Sequence, residues 1–173
     1  MAPLSQEGIK VVFEYQHLEQ RVRQLTLKIC GSFCRSCHDR CCNKDYCSES
    51  LESYWLRMTW GSWGHHISEY DISEGWLSPG GCQLEVGRPP VCYEFLCRKI
   101  LTEIQEKNYL AGFKGISNLV SFAGRNALGN RHLITLSPEQ ILKRINFERL
   151  RRKIGQAHSI LNRCEAALVS FCG

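Results

Sequence analysis

The chain's chemistry is concentrated in its cysteines. Nine of the 11 fall between residues 30 and 97: Cys30, Cys34, Cys37, Cys41, Cys42, Cys47, Cys82, Cys92 and Cys97. Two residues separate Cys34 from Cys37, a spacing that lets both thiolates reach one ion at about 2.3 Å from each sulfur. Cys41-Cys42 follows after three residues and Cys47 after four more. Adjacent cysteines project in different directions. Cys41 and Cys42 therefore suit two neighbouring ions, or a cluster with a bridging thiolate, better than one tetrahedral ion. Residues 34–97 supply eight cysteines, enough for two four-thiolate ions without sharing. The spacing predicts a metal centre built from Cys34, Cys37, Cys41, Cys42, Cys47, Cys82, Cys92 and Cys97. Zinc, as about two ions, is the expected occupant, and an iron–sulfur cluster is the alternative.

The second half of this set is framed by Pro89-Pro90, which holds the approach to Cys92 extended. Cys92 and Cys97 are expected to straddle the start of a helix, where the dipole favours a thiolate. Arg35, Arg40, Lys44, Arg88 and Arg98 lie close in sequence and would offset the charge of several thiolates. The whole pattern is a compact Cys-x2-Cys … Cys-Cys block, a lone Cys, then Arg-Pro-x2-Cys and a last Cys five positions on. It resembles the family described as zinc- or iron-chelating cysteine-rich domains. Matched by position, the resemblance implies Cys34, Cys37, Cys41, Cys42, Cys82, Cys92 and Cys97 as ligands and Arg88-Pro89 as their flanking signature. It covers about residues 30–98 and implies metal chelation rather than a particular reaction.

Disulfides are the competing use of these thiols. Against them stand adjacent cysteines, which pair with each other only under strain, and residues 1–7, which have neither a basic n-region nor an apolar core of a secretory signal. A cytoplasmic, reducing location is the expectation. Cys30-x3-Cys34-x2-Cys37 has the spacing of a radical S-adenosylmethionine cluster, but that chemistry sits in a βα barrel and the sequence has no series of strands. There is no Walker loop, no dinucleotide GxGxxG and no serine nucleophile elbow. Nucleotide hydrolysis, dehydrogenation and serine hydrolysis therefore have no support, and no catalytic residue is assigned. His38 and the pair His65-His66 are candidate substitutes for a thiolate; His17, His132 and His158 read as surface residues. A structural module read by a protein partner is the favoured function. Redox or catalytic iron–sulfur chemistry and metal storage or sensing are the alternatives.

The elements that must position these residues read as helices. Val11, Tyr15, Leu18, Val22, Leu25 and Ile29 form a heptad seam on one helix over residues 5–29, with Glu14, Glu19, Arg21 and Arg23 off the seam. A second seam runs through Phe147, Leu150, Ile154, Ala157, Leu161, Cys164, Leu168 and Phe171. Ser137-Pro138-Glu139-Gln140 combines an N-cap, proline at N1 and glutamine at N3, so a short helix should start there. Further helices are expected near 94–107 and 109–123, the latter turning Phe113, Ile116, Val120 and Ala123 inward. His132–Leu136 is the one strand candidate. The expected class is mostly α, an antiparallel bundle of the two long helices with shorter middle ones. A homodimer through a seam is the competing arrangement. Residues 30–50 and 59–92 lack helical periodicity and read as an irregular metal-binding insertion.

One domain of 173 residues accommodates all of this. Its parts are a long helix (5–29), a cysteine-rich metal-binding region (30–97) and a basic helical part (98–173). Residues 1–97 carry 9 Lys and Arg against 12 Asp and Glu, a net of −3, whereas residues 98–173 carry 13 against 5, a net of +8. The basic run Lys143, Arg144, Arg149, Arg151, Arg152, Lys153 is read as a solvated helix face, with nucleic acid as the weaker alternative. No apolar run approaches the roughly 18 residues of a membrane span.

Overall fold

The two heptad seams form the two longest elements of the computed structural model, which describes residues 4–35, 44–78, 81–95, 101–102 and 107–171. Side chains are described for 4–28, 44–78, 81–95, 101–102 and 112–166. The first seam lies on α1 (Gln6–Arg35), whose start is capped by Ser5 Oγ accepting from the Gly8 N–H. The second lies on α8 (Phe147–Phe171). Between them come α2 (Lys44–Glu52), α3 (Tyr54–Ser62), a two-stranded hairpin of β1 (Leu77–Ser78) and β2 (Gly81–Cys82), α4 (Val91–Glu94), α5 (Lys107–Ser117), α6 (Leu119–Gly124) and α7 (Pro138–Arg144). The fold is mostly α. No described helix is long and apolar enough to cross a membrane.

Val11, Tyr15, Leu18, Val22 and Leu25 are buried against Leu150, Ile154, Ala157 and Leu161, and Ile116, Val120 and Ala123 join them as expected; Phe113 is buried as well. Cys164 is half-buried at the edge of the same core. The described part of both seams lies inside one chain, so a dimer through either seam would have to open this core. Ile29, Leu168 and Phe171 have side chains outside the described residues.

The direction of packing corrects the sequence expectation. α1 and α8 run parallel. A Cβ at Gly8 would lie 3.1 Å from Phe147, Arg151 Nε donates to Glu14 Oε1 at 2.7 Å, and Arg21 reaches Asn162 Oδ1 at 2.8 Å and Glu165 Oε2 at 2.6 Å. Numbers rise together along both helices. A heptad seam is the same read in either direction, and more than a hundred residues of intervening chain leave the return path unconstrained. The antiparallel default holds for helices joined by short loops.

Three further expectations change. The helix over 5–29 continues to Arg35, and residues 44–52 are helical rather than irregular. The reason is that the inward face of α2 is built from Cys47, Ser50 and half-buried Leu51, which do not register as an apolar stripe. His132–Leu136 is not a strand: Leu133–Thr135 is a 3₁₀ turn capped by His132, whose Nδ1 accepts from the Ile134 N–H. Of the helix expected near 94–107, Leu101 and Thr102 are helical and residues 96–100 and 103–106 lie outside the described set; a separate short helix, α4, closes at Glu94. The start signal at Ser137 is borne out in full. Ser137 Oγ accepts from the Gln140 N–H at 3.3 Å while Gln140 Oε1 accepts from the Ser137 N–H at 3.0 Å.

Candidate metal centre

A second, smaller core sits beside the first and carries two of the described thiols, Cys47 and Cys82. Cys47, Trp60, Trp76 and Leu84 are its buried members, with Cys82, Tyr70, Leu51 and Leu77 packed against them. Ser50, fully buried on α2, organises it. Its hydroxyl donates to Cys47 O at 2.6 Å and accepts from Trp76 Nε1 at 2.7 Å, while its carbonyl accepts from Trp60 Nε1 at 3.1 Å. The Trp60 and Trp76 rings lie 5.4 Å apart, and Tyr70 meets Trp76 edge-on at the same distance. One serine thus ties two tryptophans to the helix that presents Cys47.

The turn before Trp76 closes over the thiol. Asp71 Oδ1 accepts from the Ser73 N–H at 2.7 Å and the Glu74 N–H at 2.9 Å, and Asp71 bridges to Gly75. Gly75 has φ +69°, and a Cβ there would stand 2.8 Å from Cys47 Cβ. Only glycine fits both the backbone and the contact. The hairpin then pairs Leu77 with Cys82, bringing Cys82 into the cluster that holds Cys47.

Arg88 joins the hairpin to the site. Its Nε donates to Leu84 O at 2.6 Å and its Nη2 to Cys82 O at 3.3 Å. Burial alone would lower its pKa; the neighbouring Cys82, Tyr93, Cys92 and Glu19 outweigh that and raise it. Burial pushes the Cys47 thiol up, as does Cys82, while the Trp76 backbone and Arg88 oppose the shift. Arg88 is therefore the cation, among those expected to offset thiolate charge, that the described structure places with three of the candidate ligands: Cys47, Cys82 and Cys92.

Beneath Arg88 lies a carboxyl that the sequence reading placed off the seam. Glu19 is fully buried, and its Oε2 accepts from the Gly87 N–H at 2.7 Å. Burial raises its pKa to about 8, against the opposing pull of the Gly87 N–H, the Tyr93 hydroxyl and Arg88. Its Oε1 and the Tyr15 hydroxyl one turn earlier have no partner among the described residues. Gly87 is itself wedged in place: with φ +74°, a Cβ would fall 2.8 Å from Trp60 N and 2.9 Å from Leu56 O. The signal for Glu19 was its position four residues after the seam residue Tyr15, within the wider apolar stripe of a packed helix.

The described candidate ligands are thus Cys47 (buried), Cys82 (half-buried) and Cys92 (exposed, in α4). Cys47 and Cys82 are free thiols. Cys37, Cys41, Cys42 and Cys97 lie outside the described residues, as does the side chain of Cys34. Among the described residues no three His, Cys, Asp or Glu side chains form a group able to hold a metal ion. His38 is outside the described set. His65 Nδ1 lies 2.7 Å from Glu69 Oε2, and the His66 backbone N–H donates to Glu69 Oε1 at 3.0 Å. No family model, curated protein or solved structure matches this chain.

Proposed function

We propose that this protein binds metal through a cysteine-thiolate cluster in residues 30–97, holding zinc, as about two ions, in a structural module presented to a protein partner. The observation that carries the reading is the convergence of Cys47 and Cys82. They come from a helix and a hairpin far apart in sequence, yet sit in one small core with Arg88 beside them. Thiol donors of this kind suit zinc or an iron–sulfur cluster rather than a hard cation. In this reading Cys34, Cys37, Cys41, Cys42, Cys92 and Cys97 complete the ligand set around Cys47 and Cys82. The bound ion would cross-link α2, the hairpin and the segments on either side of it. Arg88 compensates thiolate charge and fixes the Cys82 backbone. Such a cross-link supplies ordering energy where a small core supplies little.

The test is the metal content of protein purified without oxygen. About two zinc ions in a colourless protein support the proposal. Brown protein with broad visible absorbance and bound iron would replace zinc with an iron–sulfur cluster on the same thiols. Folded, metal-free protein whose cysteines all titrate as free thiols would overturn it.

A further inference from the structure

The basic half carries a second site, independent of the thiols. Arg149 and Lys153 are one turn apart on α8, so both project from the same helix face. Lys153 does not extend into solvent. Its Nζ folds back to donate to the carbonyl of Arg125, the residue that ends α6, and lies 5.7 Å from the Phe122 ring centroid. The ammonium is thereby pinned beside Arg125 on a half-buried aromatic shelf. Its pKa is lowered by burial first and then by the nearby Arg149 and Arg125. Among the described residues none of the three forms an ion pair with a carboxylate, whereas Arg151 pairs with Glu14, Arg21 with Glu165 and Lys143 with Glu139. Glu94 acts on the nearby His132, which is itself lowered by burial, Arg125 and Lys153. Neighbouring cations without a direct carboxylate partner repel one another, and an anion among them would relieve that repulsion.

We propose that Arg125, Arg149 and Lys153 form a binding site for a phosphate group. Two guanidinium forks and an ammonium supply enough donors to surround phosphate oxygens, and arginine matches that geometry in two-point contacts. The same chemistry is offered by a free phosphate or phosphomonoester and by the backbone of a nucleic acid. The excess of base over acid in residues 98–173 favours either.

Titration calorimetry at fixed ionic strength tests this on the full-length protein. The probes are inorganic phosphate and, separately, a short single-stranded DNA. Lys153→Gln and Arg149→Gln are compared with Lys143→Gln, which removes the same charge from an exposed position paired with Glu139. Saturable phosphate binding that weakens about tenfold in each site variant, but not in Lys143→Gln, supports the site. If DNA also binds and phosphate displaces it, the source is a nucleic-acid backbone; if DNA does not bind, it is a free phosphate or phosphomonoester. Absence of saturable binding to either probe overturns the proposal, as does equal weakening in Lys143→Gln. Circular dichroism of each variant excludes loss of fold as the cause.

Discussion

Replacing Glu19 by glutamine should stabilise the protein at alkaline pH and flatten its pH dependence. Glu19 is fully buried in α1 with a pKa of about 8 in the folded state, against an ordinary carboxyl value of 4.5. Below about pH 4.5 folded and unfolded chains both hold the proton, and the group makes no difference. Between about pH 4.5 and 8 the unfolded chain has lost it while the folded chain keeps it. Folding then takes up a proton, so stability falls as pH rises, by about 1.4 kcal/mol per pH unit. Over the whole interval the loss approaches roughly 4 to 5 kcal/mol as an upper bound, a large part of a typical domain's stability. Glutamine keeps an oxygen to accept from the Gly87 N–H and carries no charge at any pH.

Urea unfolding followed by tryptophan fluorescence, from about pH 5.5 to 8.5, measures the effect. The difference between variant and wild type is the useful quantity, because His132 and His158, whose pKa values are lowered, titrate in both proteins and cancel. Up to about pH 7.5 the expected difference grows in favour of Glu19→Gln by about 1 kcal/mol or more per pH unit, and it levels off above about pH 8. A difference independent of pH would refute the reasoning, since Glu19 would then ionise alike in both states. A variant less stable by a constant amount would show that the carboxylate itself, ionised, is the anchor of Gly87.

Ser50→Ala should cost about 1 to 3 kcal/mol in the same assay, because it leaves Trp76 Nε1 buried without an acceptor while the Trp60 bond to the Ser50 carbonyl survives. Ser48→Ala, on the exposed side of α2, is the near-neutral control. Cys82→Ala and Cys37→Ala should lose bound metal by elemental analysis. Cys164→Ala should retain it, losing about 1 to 2 kcal/mol as a small truncation at the edge of the main core.

Much of the scaffold was legible in the sequence because its signals are local and periodic. The buried positions of both seams follow the heptad spacing, and the Ser137-Pro138-Gln140 cap forms as its chemistry requires. What the sequence left out depends on neighbours distant in the chain. Nothing in a heptad distinguishes parallel from antiparallel, so the alignment of α1 with α8 had to come from pairs such as Arg21 with Glu165. α2 was missed because its inward face is cysteine and serine, residues whose burial depends on Trp60 and Trp76 arriving over them. Glu19 read only as a charge off the seam because its partners, Gly87 and Arg88, lie almost seventy residues away. At the thiols, spacing alone nominated Cys47 and Cys82 before their approach was visible. Their shared core adds the reason: a buried serine and a glycine with positive φ hold them together.

These contacts also change what metal removal should do. From sequence, residues 30–97 have too little apolar periodicity to fold alone, and chelation would unfold that half while the seams persist. The structure joins the two more closely. Gly87 is held by Glu19 of α1 and wedged against α3, and α3 places Trp55 and Leu56 in the main core but Trp60 in the small one. Residues 54–62 are therefore a shared wall, with the hairpin and the 71–78 turn on its far side. Chelation should loosen residues 71–94 and α2 first, where Tyr93 alone of the buried side chains belongs to the main core, and leave α3 protected from the main-core side. Hydrogen exchange by mass spectrometry, with and without chelator, resolves these segments. Faster exchange in 44–52 and 71–94, with 11–25, 54–62 and 150–161 unchanged, is the expected pattern. Loss of protection in all of them at once would show that the seams depend on metal as well. No change anywhere, after confirmed metal removal, would show that Ser50, Gly75 and Glu19 hold the site by packing alone, and that the ion is not the structural cross-link proposed for it.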